Sequence, residues 1–299
     1  YAEQNAEEGL NGPGGDGFKP LKDENYIFVM VYLDKNQKEM FAFALTKYKN
    51  NQYILNEEAL KVIVEAIENA LASTAKKIRI STLEIKIPSA CLKEENSSYL
   101  QAAIGYAVQS MAKSKLLPHQ IFFEVPGFDF DIKYAKELVQ GIHRHNEWLE
   151  SNEKENYSFS GFKIRCGGVE AFQFPPTDYL AEAISFSRQN DVPLKFTAGL
   201  HHPVRHFNDS VQTKMHGFLN VFGASLLSYS KKLSEAELLE ILNDENASNF
   251  SFRKSEFSWK THSISLEELH MFRSLSVTSF GSCSFDEPVE DLQELNLIS

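Results

Sequence analysis

The sequence from residue 78 to residue 231 alternates between β-rich and helix-periodic segments, and this alternation constrains the fold more than any other feature. Strands are predicted at 78–87, 120–125, 159–166 and from Leu194 onward, and each is followed by a helical segment, at 97–114, 132–149, 177–190 and 211–231. Strands and helices that alternate with short joins favour parallel strands connected by crossover helices. The core of the chain is therefore predicted to be α/β.

The segments on either side of this core are less regular. Two β-rich runs at 26–33 and 40–45, with the polar residues Asp34-Lys35-Asn36-Gln37 in the segment between them, predict an antiparallel hairpin. The acidic, glycine-rich residues 1–24 predict a flexible leader. Further predicted elements are helices at 56–74, 234–242 and 266–274 and strands at 249–252, 256–262 and 276–280.

The number of strand and helix units favours one fold over another. We predict a single (β/α)8 TIM-barrel-like domain over residues 25–299, with the hairpin at its N-terminus, because polar residues recur at the ends of successive strands. An open doubly wound α/β sheet is the alternative. No GxGxxG or GxxxxGK[ST] sequence opens any predicted helix, which disfavours a nucleotide-binding sheet.

Composition excludes several classes of partner. The formal net charge is -11 at pH 7 and no run of lysine or arginine offsets it, so we expect neither a nucleic acid nor an anionic membrane as partner. No apolar run reaches the roughly 18 to 20 residues of a membrane span. Three cysteines without a CxxC pair suit a reducing compartment, and a cytoplasmic location is expected. A homo-oligomer is left open.

The stretch from Leu194 to Pro203 carries the densest chemistry in the chain. Side chains alternate along a strand, so Lys195 and Thr197 share one face. Gly199 then allows a sharp turn, and His201 and His202 follow it. A binding or catalytic site is predicted at this end of the strand.

Charged residues on the neighbouring predicted strands point to the same place. Glu124 ends one strand, and Lys163 and Arg165 share a face of the next. Glu84 and Lys86 share a face of the strand before them. Burying an unpaired charge costs several kcal/mol, so these groups are expected to pair with one another or to line a solvated mouth.

A second group is predicted to bind the anionic part of a substrate. Gly167 and Gly168 precede a predicted helix and lie close in sequence to Arg165, and Arg205 follows the central strand. Backbone N–H groups at a helix start, together with arginine side chains, bind phosphate or carboxylate. We expect Thr197 to contact the substrate as well.

Two short sequences, Lys163-Ile-Arg-Cys-Gly167 and Lys195-Phe-Thr-Ala-Gly199, share the pattern Lys-x-x-x-Gly. This pattern resembles the paired lysines of class I aldolases of the deoxyribose-phosphate type. The resemblance implies that one lysine forms a Schiff base with a carbonyl substrate while the second cation lowers its pKa. Two ammonium groups close together in a poorly solvated site do make one of them neutral and nucleophilic.

Three further motifs resemble an uncharacterised bacterial family of similar length, to which no activity is attached. They are Lys195-Phe-Thr-Ala-Gly-Leu-His-His-Pro203, His216-Gly-Phe-Leu-Asn220 and Gly281-Ser-Cys-Ser-Phe-Asp-Glu-Pro288. The resemblance implies one continuous domain.

The histidines also permit a metal hypothesis. His202 and His206 are four residues apart, and His216 or Glu124 could complete a three-ligand zinc site with an open position. Pro203 favours an extended backbone at His202, and adjacent histidines point in different directions, so the main expectation is no metal and no cofactor. A divalent metal such as zinc is the alternative.

These observations lead to one preferred function and two alternatives. We predict an enzyme that acts on a small anionic carbonyl compound, phosphorylated or carboxylated, as an aldolase-like lyase. Lys195 is assigned as the Schiff-base lysine and Lys163 as its electrostatic partner, with Glu124, His201 and His202 as acid/base groups. The alternatives are a metal-dependent hydrolase or lyase that uses the His201–His206 cluster, and a non-catalytic ligand-binding protein.

Overall fold

A computed structural model describes residues 26–32, 40–49, 52–55, 82–87, 89–92, 97–113, 120–152, 159–281 and 286–298. The predicted leader at 1–24 and the predicted helix at 56–74 lie outside these residues.

The strands form one large sheet and two small ones. The large sheet has eight strands in the order β13-β7-β6-β5-β4-β1-β2-β3. Strand bounds are β1 Tyr26–Tyr32, β2 Met40–Lys49, β3 Gln52–Leu55, β4 Thr82–Lys86, β5 Gln120–Glu124, β6 Ser160–Arg165, β7 Leu194–Thr197 and β13 Val277–Phe280. The predicted N-terminal hairpin is confirmed, because β1 pairs antiparallel with β2. It joins the sheet through an antiparallel pairing of β1 with β4.

Five strands of the large sheet, β4, β5, β6, β7 and β13, are parallel to one another. Helices connect the first four of them as predicted. The described helices are α1 Ser97–Lys113, α2 Ile132–Ser151, α3 Thr177–Gln189, α4 Ala224–Lys231, α5 Glu235–Asn243, α6 Leu266–Leu275 and α7 Glu287–Glu294. The α/β class is therefore confirmed.

Local signals explain where several helices begin. Asp131 precedes α2, and its side chain accepts a hydrogen bond from the backbone N–H of Lys133. Ser234 and Ser265 precede α5 and α6, and each forms a reciprocal capping box with the glutamate three residues later. None of the described helices is long and apolar enough to cross a membrane.

The parallel strands separate apolar and polar side chains between their two faces. One face carries the buried side chains of Leu83, Ile85, Ile121, Phe123, Phe162, Ile164, Leu194 and Phe196, which belong to one hydrophobic cluster with residues of α1 to α5. Removal of this apolar surface from water is the main stabilising contribution to the fold. The opposite face carries the charged residues described below.

The winding of the parallel strands bears on the predicted architecture. Strands β4, β5, β6 and β7 are neighbours in chain order and β13 follows them, without the reversal that defines a doubly wound sheet. The doubly wound alternative is therefore wrong for this sheet. The (β/α)8 barrel is not confirmed either, because three of the eight strands are antiparallel to their neighbours and, among the described strands, β3 and β13 each pair with only one other.

The prediction of one helix over residues 211–231 is wrong in its first half. Residues His206–Asn208 (β8) and Thr213–Met215 (β9) form a two-stranded hairpin, a π-helix spans Leu219–Gly223, and α4 begins only at Ala224. A close approach explains the break, since a Cβ on Gly217 would lie 2.4 Å from the carbonyl oxygen of Pro203. Cross-strand pairing here overrides the helical spacing of the apolar residues.

The C-terminal part holds a small antiparallel sheet of β10 Phe250–Arg253, β11 Glu256–Trp259 and β12 His262–Ser265. The first two of these strands were predicted, whereas β12 was not. Helix α6 and strand β13 follow close to their predicted positions.

Candidate active site

A polar row crosses the five parallel strands on the face opposite the apolar cluster. The strand register aligns Lys86, Glu124, Lys163, Lys195 and Ser279, one residue from each strand. The row lies near the carboxyl ends of the strands, where α/β proteins place their ligand sites.

Lys163 is the centre of an ion-pair network in this row. Its Nζ lies 2.6 Å from Glu84 Oε2 and 2.7 Å from Glu124 Oε2. The side chain of Lys163 is only 3% exposed and that of Glu84 only 1%. Charges at this depth persist only when they are paired and hydrogen-bonded, so the two carboxylates hold Lys163 in its charged form.

Lys195 has a different environment although it is the register partner of Lys163. Its Nζ donates a hydrogen bond to Ser279 Oγ at 2.9 Å and lies 3.5 Å from Glu84 Oε1. Burial lowers the pKa of Lys195, Glu84 opposes this shift, and the positive charge of Lys163 lowers the pKa further. Its side chain is 13% exposed, so among the two lysines it is the more accessible.

Glu124 remains ionised in this network. Burial alone would raise its pKa, but the positive charges of Lys163 and Lys86 and the hydrogen bond from Lys163 outweigh burial, and the pKa of Glu124 falls below its usual value. Arg165 contributes in the same direction. Glu124 is thus an electrostatic partner of Lys163 and is ionised at neutral pH.

An aromatic ring lies on the same face, one step toward the amino ends of the strands. Phe122 pairs in register with Glu84 on one side and with Gly161 on the other. A Cβ on Gly161 would lie 2.4 Å from the Phe122 ring, so the ring covers the backbone of β6 at this glycine. Phe122 is fully buried and lies beside Glu84 at the amino-terminal side of the charged row.

Arg165 and Thr197 lie one step beyond the lysines, toward the carboxyl ends, and are register partners. Arg165 Nε donates a hydrogen bond to the carbonyl oxygen of Gly167 at 3.0 Å, and its guanidinium lies 5.3 Å from the ring centre of Phe128. Both residues were predicted to bind substrate, and the strand register brings them next to the charged row.

The predicted glycines have close-packing roles. Gly199 has φ +68°, and a Cβ there would lie 2.9 Å from the Cα of Gly167. The turns after β6 and β7 therefore touch backbone to backbone, and the predicted sharp turn at Gly199 is present. Ala198 also has a positive φ, of 63°, a conformation that costs a residue with a side chain about 1 kcal/mol.

The turn after Gly168 differs from the anion cradle that was predicted. The backbone N–H groups of Val169 and Glu170 both donate to Gln173 Oε1, at 2.6 and 3.1 Å. The next α-helix begins only at Thr177, after a 3-10 turn at Ala171–Gln173. These two N–H groups are therefore hydrogen-bonded within the protein rather than directed at an anion site. Gly168 lies against the Gln173 side chain.

His201 and His202 contact the C-terminal helix. His201 Nδ1 lies 3.4 Å from Glu287 Oε2, and His202 Nδ1 is hydrogen-bonded to Asp291 Oδ2. The ring of His202 also packs edge to face on the ring of His206, with centroids 4.4 Å apart. The carboxylate partners of the predicted acid/base pair thus lie on the C-terminal helix α7.

Arg205 and His216 are hydrogen-bonded to each other and connect the segment after β7 to the segment after β9. Arg205 Nη1 donates to His216 Nδ1 at 3.1 Å, so His216 Nε2 carries the proton and donates to the carbonyl oxygen of Pro175 at 2.7 Å. The backbone N–H of Arg205 donates to Asn220 Oδ1 at 2.7 Å. Burial lowers the pKa of His216 to about 4, with Arg205 contributing.

The hydrogen bonds of His216 affect whether His202, His206 and His216 could bind a metal, as the alternative prediction requires. Both ring nitrogens of His216 are engaged by protein groups, and His206 Nδ1 donates to the carbonyl oxygen of Val204 at 3.1 Å. Within the part of the chain that the structure describes, no group of three or more His, Cys, Asp or Glu side chains is arranged to hold a metal ion. The zinc alternative therefore gains no support from the geometry.

Three residues of the charged row and its network were not among the predicted site residues. Glu84 and Lys86 were recognised on the polar face of β4 but were given no role, and Ser279 was not considered. A β-bulge between Val277 and Ser279 shifts the register of β13, which places Ser279 opposite Lys195.

Comparison with protein-family models, curated proteins and solved structures found no match to this chain, so the aldolase resemblance and the motif resemblance stay predictions.

Proposed function

We propose that this protein is an enzyme that binds a small anionic carbonyl compound and forms a Schiff base with it at Lys195, as an aldolase-like lyase. The observation that carries the proposal is the contrast between the register partners Lys163 and Lys195. Lys163 is fixed as a cation by two carboxylates, whereas burial and the Lys163 charge lower the pKa of Lys195. A lysine whose pKa is lowered by burial and by a neighbouring cation is more readily available as the neutral amine that Schiff-base chemistry requires.

The proposed chemistry assigns a task to each group. Lys195 Nζ, in its neutral form, attacks the carbonyl carbon; one proton passes from the nitrogen to the oxygen, a second comes from solvent, and the oxygen leaves as water. The bond between the α and β carbons then breaks: its electron pair forms an enamine with the iminium, the β-hydroxyl gives up its proton, and the distal fragment leaves as an aldehyde or ketone. Protonation of the enamine and hydrolysis by water release the second fragment and restore the lysine. We assign proton transfer to Glu84, whose Oε1 lies 3.5 Å from Lys195 Nζ. His201 and His202 are left out of this step because their carboxylate partners lie on α7.

The charge balance of the site supports an anionic substrate. The polar face of the described parallel strands carries three cations besides Lys195, namely Lys86, Lys163 and Arg165, and two carboxylates, Glu84 and Glu124. The local excess is positive in a chain whose formal net charge is -11. A local positive field raises the concentration of an anion at the mouth of the site.

The barrel-like architecture is part of the same proposal. Barrel enzymes use polar side chains at the carboxyl ends of successive parallel strands, and the row from Lys86 to Ser279 follows that plan. The likeness to a barrel is limited to the five parallel strands and to the position of the site at their carboxyl ends. The other three strands of the sheet, β1, β2 and β3, are antiparallel.

Borohydride reduction tests the proposal. The purified chain is incubated with phosphorylated or carboxylated aldehydes and ketones, reduced, and its intact mass is measured. The expected result is one stable adduct per chain that is lost in Lys195→Met. The control Lys214→Met removes an exposed lysine on β9 and should retain the adduct. Saturable anion binding without any adduct would contradict the enzyme and favour the non-catalytic binding protein.

A further inference from the structure

An aromatic ledge, defined as Phe128 and Phe172, borders the candidate active site. The two rings meet edge to face, with centroids 5.7 Å apart and an interplanar angle of 86°. The ring of Phe130 packs against the ring of Phe128, with centroids 6.3 Å apart. It also packs against the ring of Tyr179, with centroids 5.5 Å apart. The ledge thus joins the loop after β5 to the loop after β6.

Both loops hold these rings by specific backbone geometry. In the first loop Gly127 and Phe130 have positive φ values of 74° and 39°. In the second, Gln173 Oε1 accepts the N–H groups of Val169 and Glu170 and fixes the 3-10 turn. Such a fixed turn presents its side chains in one arrangement.

The 3-10 turn at Ala171–Gln173 contains Phe172 and is followed by Phe174, and these two side chains differ in exposure. Phe174 is buried, and a Cβ on Gly167 would lie 2.6 Å from its ring. Phe172 is 65% exposed. A single exposed phenylalanine is ordinary, so exposure alone carries no argument. Phe172 differs from other exposed phenylalanines because it contacts Phe128, whose ring lies beneath the guanidinium of Arg165.

Arg165 connects the ledge to the charged row. Its guanidinium lies 5.3 Å from the Phe128 ring centre, and its register partner Thr197 is two residues beyond Lys195. Two residues of a strand span about 7 Å. The amine of Lys195, the guanidinium of Arg165 and the ring of Phe128 therefore follow one another toward the carboxyl ends of the strands. Arg165 Nε is bonded to the carbonyl oxygen of Gly167, and a guanidinium has further N–H groups in its own plane that can bind a carboxylate by two parallel hydrogen bonds.

We infer that the carbonyl fragment that Lys195 retains as an enamine and then releases is a 2-oxo acid with an aromatic side chain, with its keto carbon at Lys195, its carboxylate at Arg165 and its ring on the ledge of Phe128 and Phe172. This inference rests on the proposed function and narrows its substrate class. In such a molecule the carboxylate is bonded to the keto carbon and the ring is one methylene away, which matches a site where the lysine and the arginine lie on adjacent strands and the two rings on the loops that follow β5 and β6.

The test compares two probes, pyruvate and phenylpyruvate, on the full chain. Binding is measured by titration calorimetry, and Schiff-base formation by borohydride trapping. Phenylpyruvate is expected to bind about tenfold more tightly than pyruvate, since a buried aromatic contact contributes on that order. Phe172→Ala should remove most of this preference and leave pyruvate binding unchanged. The matched control is Phe207→Ala, which truncates a phenylalanine 53% exposed on the β8 strand and should change neither.

The outcomes separate this inference from the proposed function. Equal trapping of both probes, or a preference that survives Phe172→Ala, overturns the aromatic 2-oxo acid and leaves the Schiff base intact. Tight phenylpyruvate binding that depends on Phe172 but gives no adduct supports the ledge and contradicts the Schiff base. Failure of both probes to bind overturns the inference, and an adduct with a phosphorylated carbonyl compound would then still uphold the proposed function.

Discussion

Lys163 and Lys195 lie opposite each other on neighbouring parallel strands, and Glu84 contacts both of them. One carboxylate oxygen of Glu84 lies 2.6 Å from Lys163 Nζ and the other 3.5 Å from Lys195 Nζ. Lys163 has Glu124 as a second partner, whereas Lys195 has the neutral hydroxyl of Ser279. This asymmetry distinguishes two lysines that the sequence presents in nearly identical patterns.

The first prediction concerns stability. Lys163→Met leaves Glu84 and Glu124 buried without their shared cation, and breaking a buried ion pair in this way costs about 3 to 5 kcal/mol. Urea unfolding of the variant should show this loss in the free energy of unfolding. Lys214→Met removes an exposed ion pair and should cost less than about 1 kcal/mol. Equal effects of the two substitutions would contradict the network.

A second prediction concerns the reactivity of Lys195. Because burial and the charge of Lys163 lower the pKa of Lys195, it is neutral at a lower pH than an ordinary lysine. Competitive labelling with a small acylating reagent across a pH series, followed by peptide mass analysis, should give Lys195 an apparent pKa below the usual lysine value of 10.5. An apparent pKa at or above that value would show that the site does not lower the pKa of Lys195.

The third prediction is a pH dependence of stability. The pKa of His216 is about 4 in the folded chain, against 6.5 for an ordinary histidine. Between these values the unfolded chain binds more protons, so the free energy of unfolding falls as pH drops from 6.5 toward 4, by on the order of 3 kcal/mol. His145, whose pKa burial also lowers to about 4, acts in the same direction. His216→Gln should flatten the measured slope, and an unchanged slope would contradict this assignment.

The fourth prediction compares two glycines with positive φ. Gly199→Ala strains the backbone by about 1 to 2 kcal/mol and also places a methyl group 2.9 Å from the Cα of Gly167. Gly127→Ala meets the same strain at φ +74° but has no atom within 4 Å of its new methyl group. Thermal unfolding should therefore show a larger loss for Gly199→Ala. Equal losses would mean that the contact between the two turns adds nothing.

Several features of the fold follow from local patterns in the sequence. The parallel strands, the helices between them and the N-terminal hairpin depend on periodicity and turn residues that lie close together in the chain. The segment 211–218 does not, because its helical spacing competes with pairing to residues 206–208 and with the close contact of Gly217. Tertiary contacts decided that competition.

The site was predictable only where it depended on one strand at a time. Lys163, Lys195 and Arg165 were found because alternation assigns each of them a face. The role of Glu84 depends on how β4, β5, β6 and β7 align laterally, and that alignment is absent from any single segment. Ser279 reaches Lys195 through a bulge in a strand 84 residues away. His201 and His202 likewise face acidic residues of a helix far along the chain.

Location of the reduced adduct by peptide mass mapping tests the central claim most directly. The chain is trapped with borohydride in the presence of a carboxylated ketone at neutral pH, digested, and the modified lysine is identified. We expect the adduct on Lys195, with Lys163 unmodified. An adduct on Lys163 would contradict the assignment of the neutral amine, and the absence of an adduct on either lysine with every carbonyl compound tried would contradict the Schiff-base function.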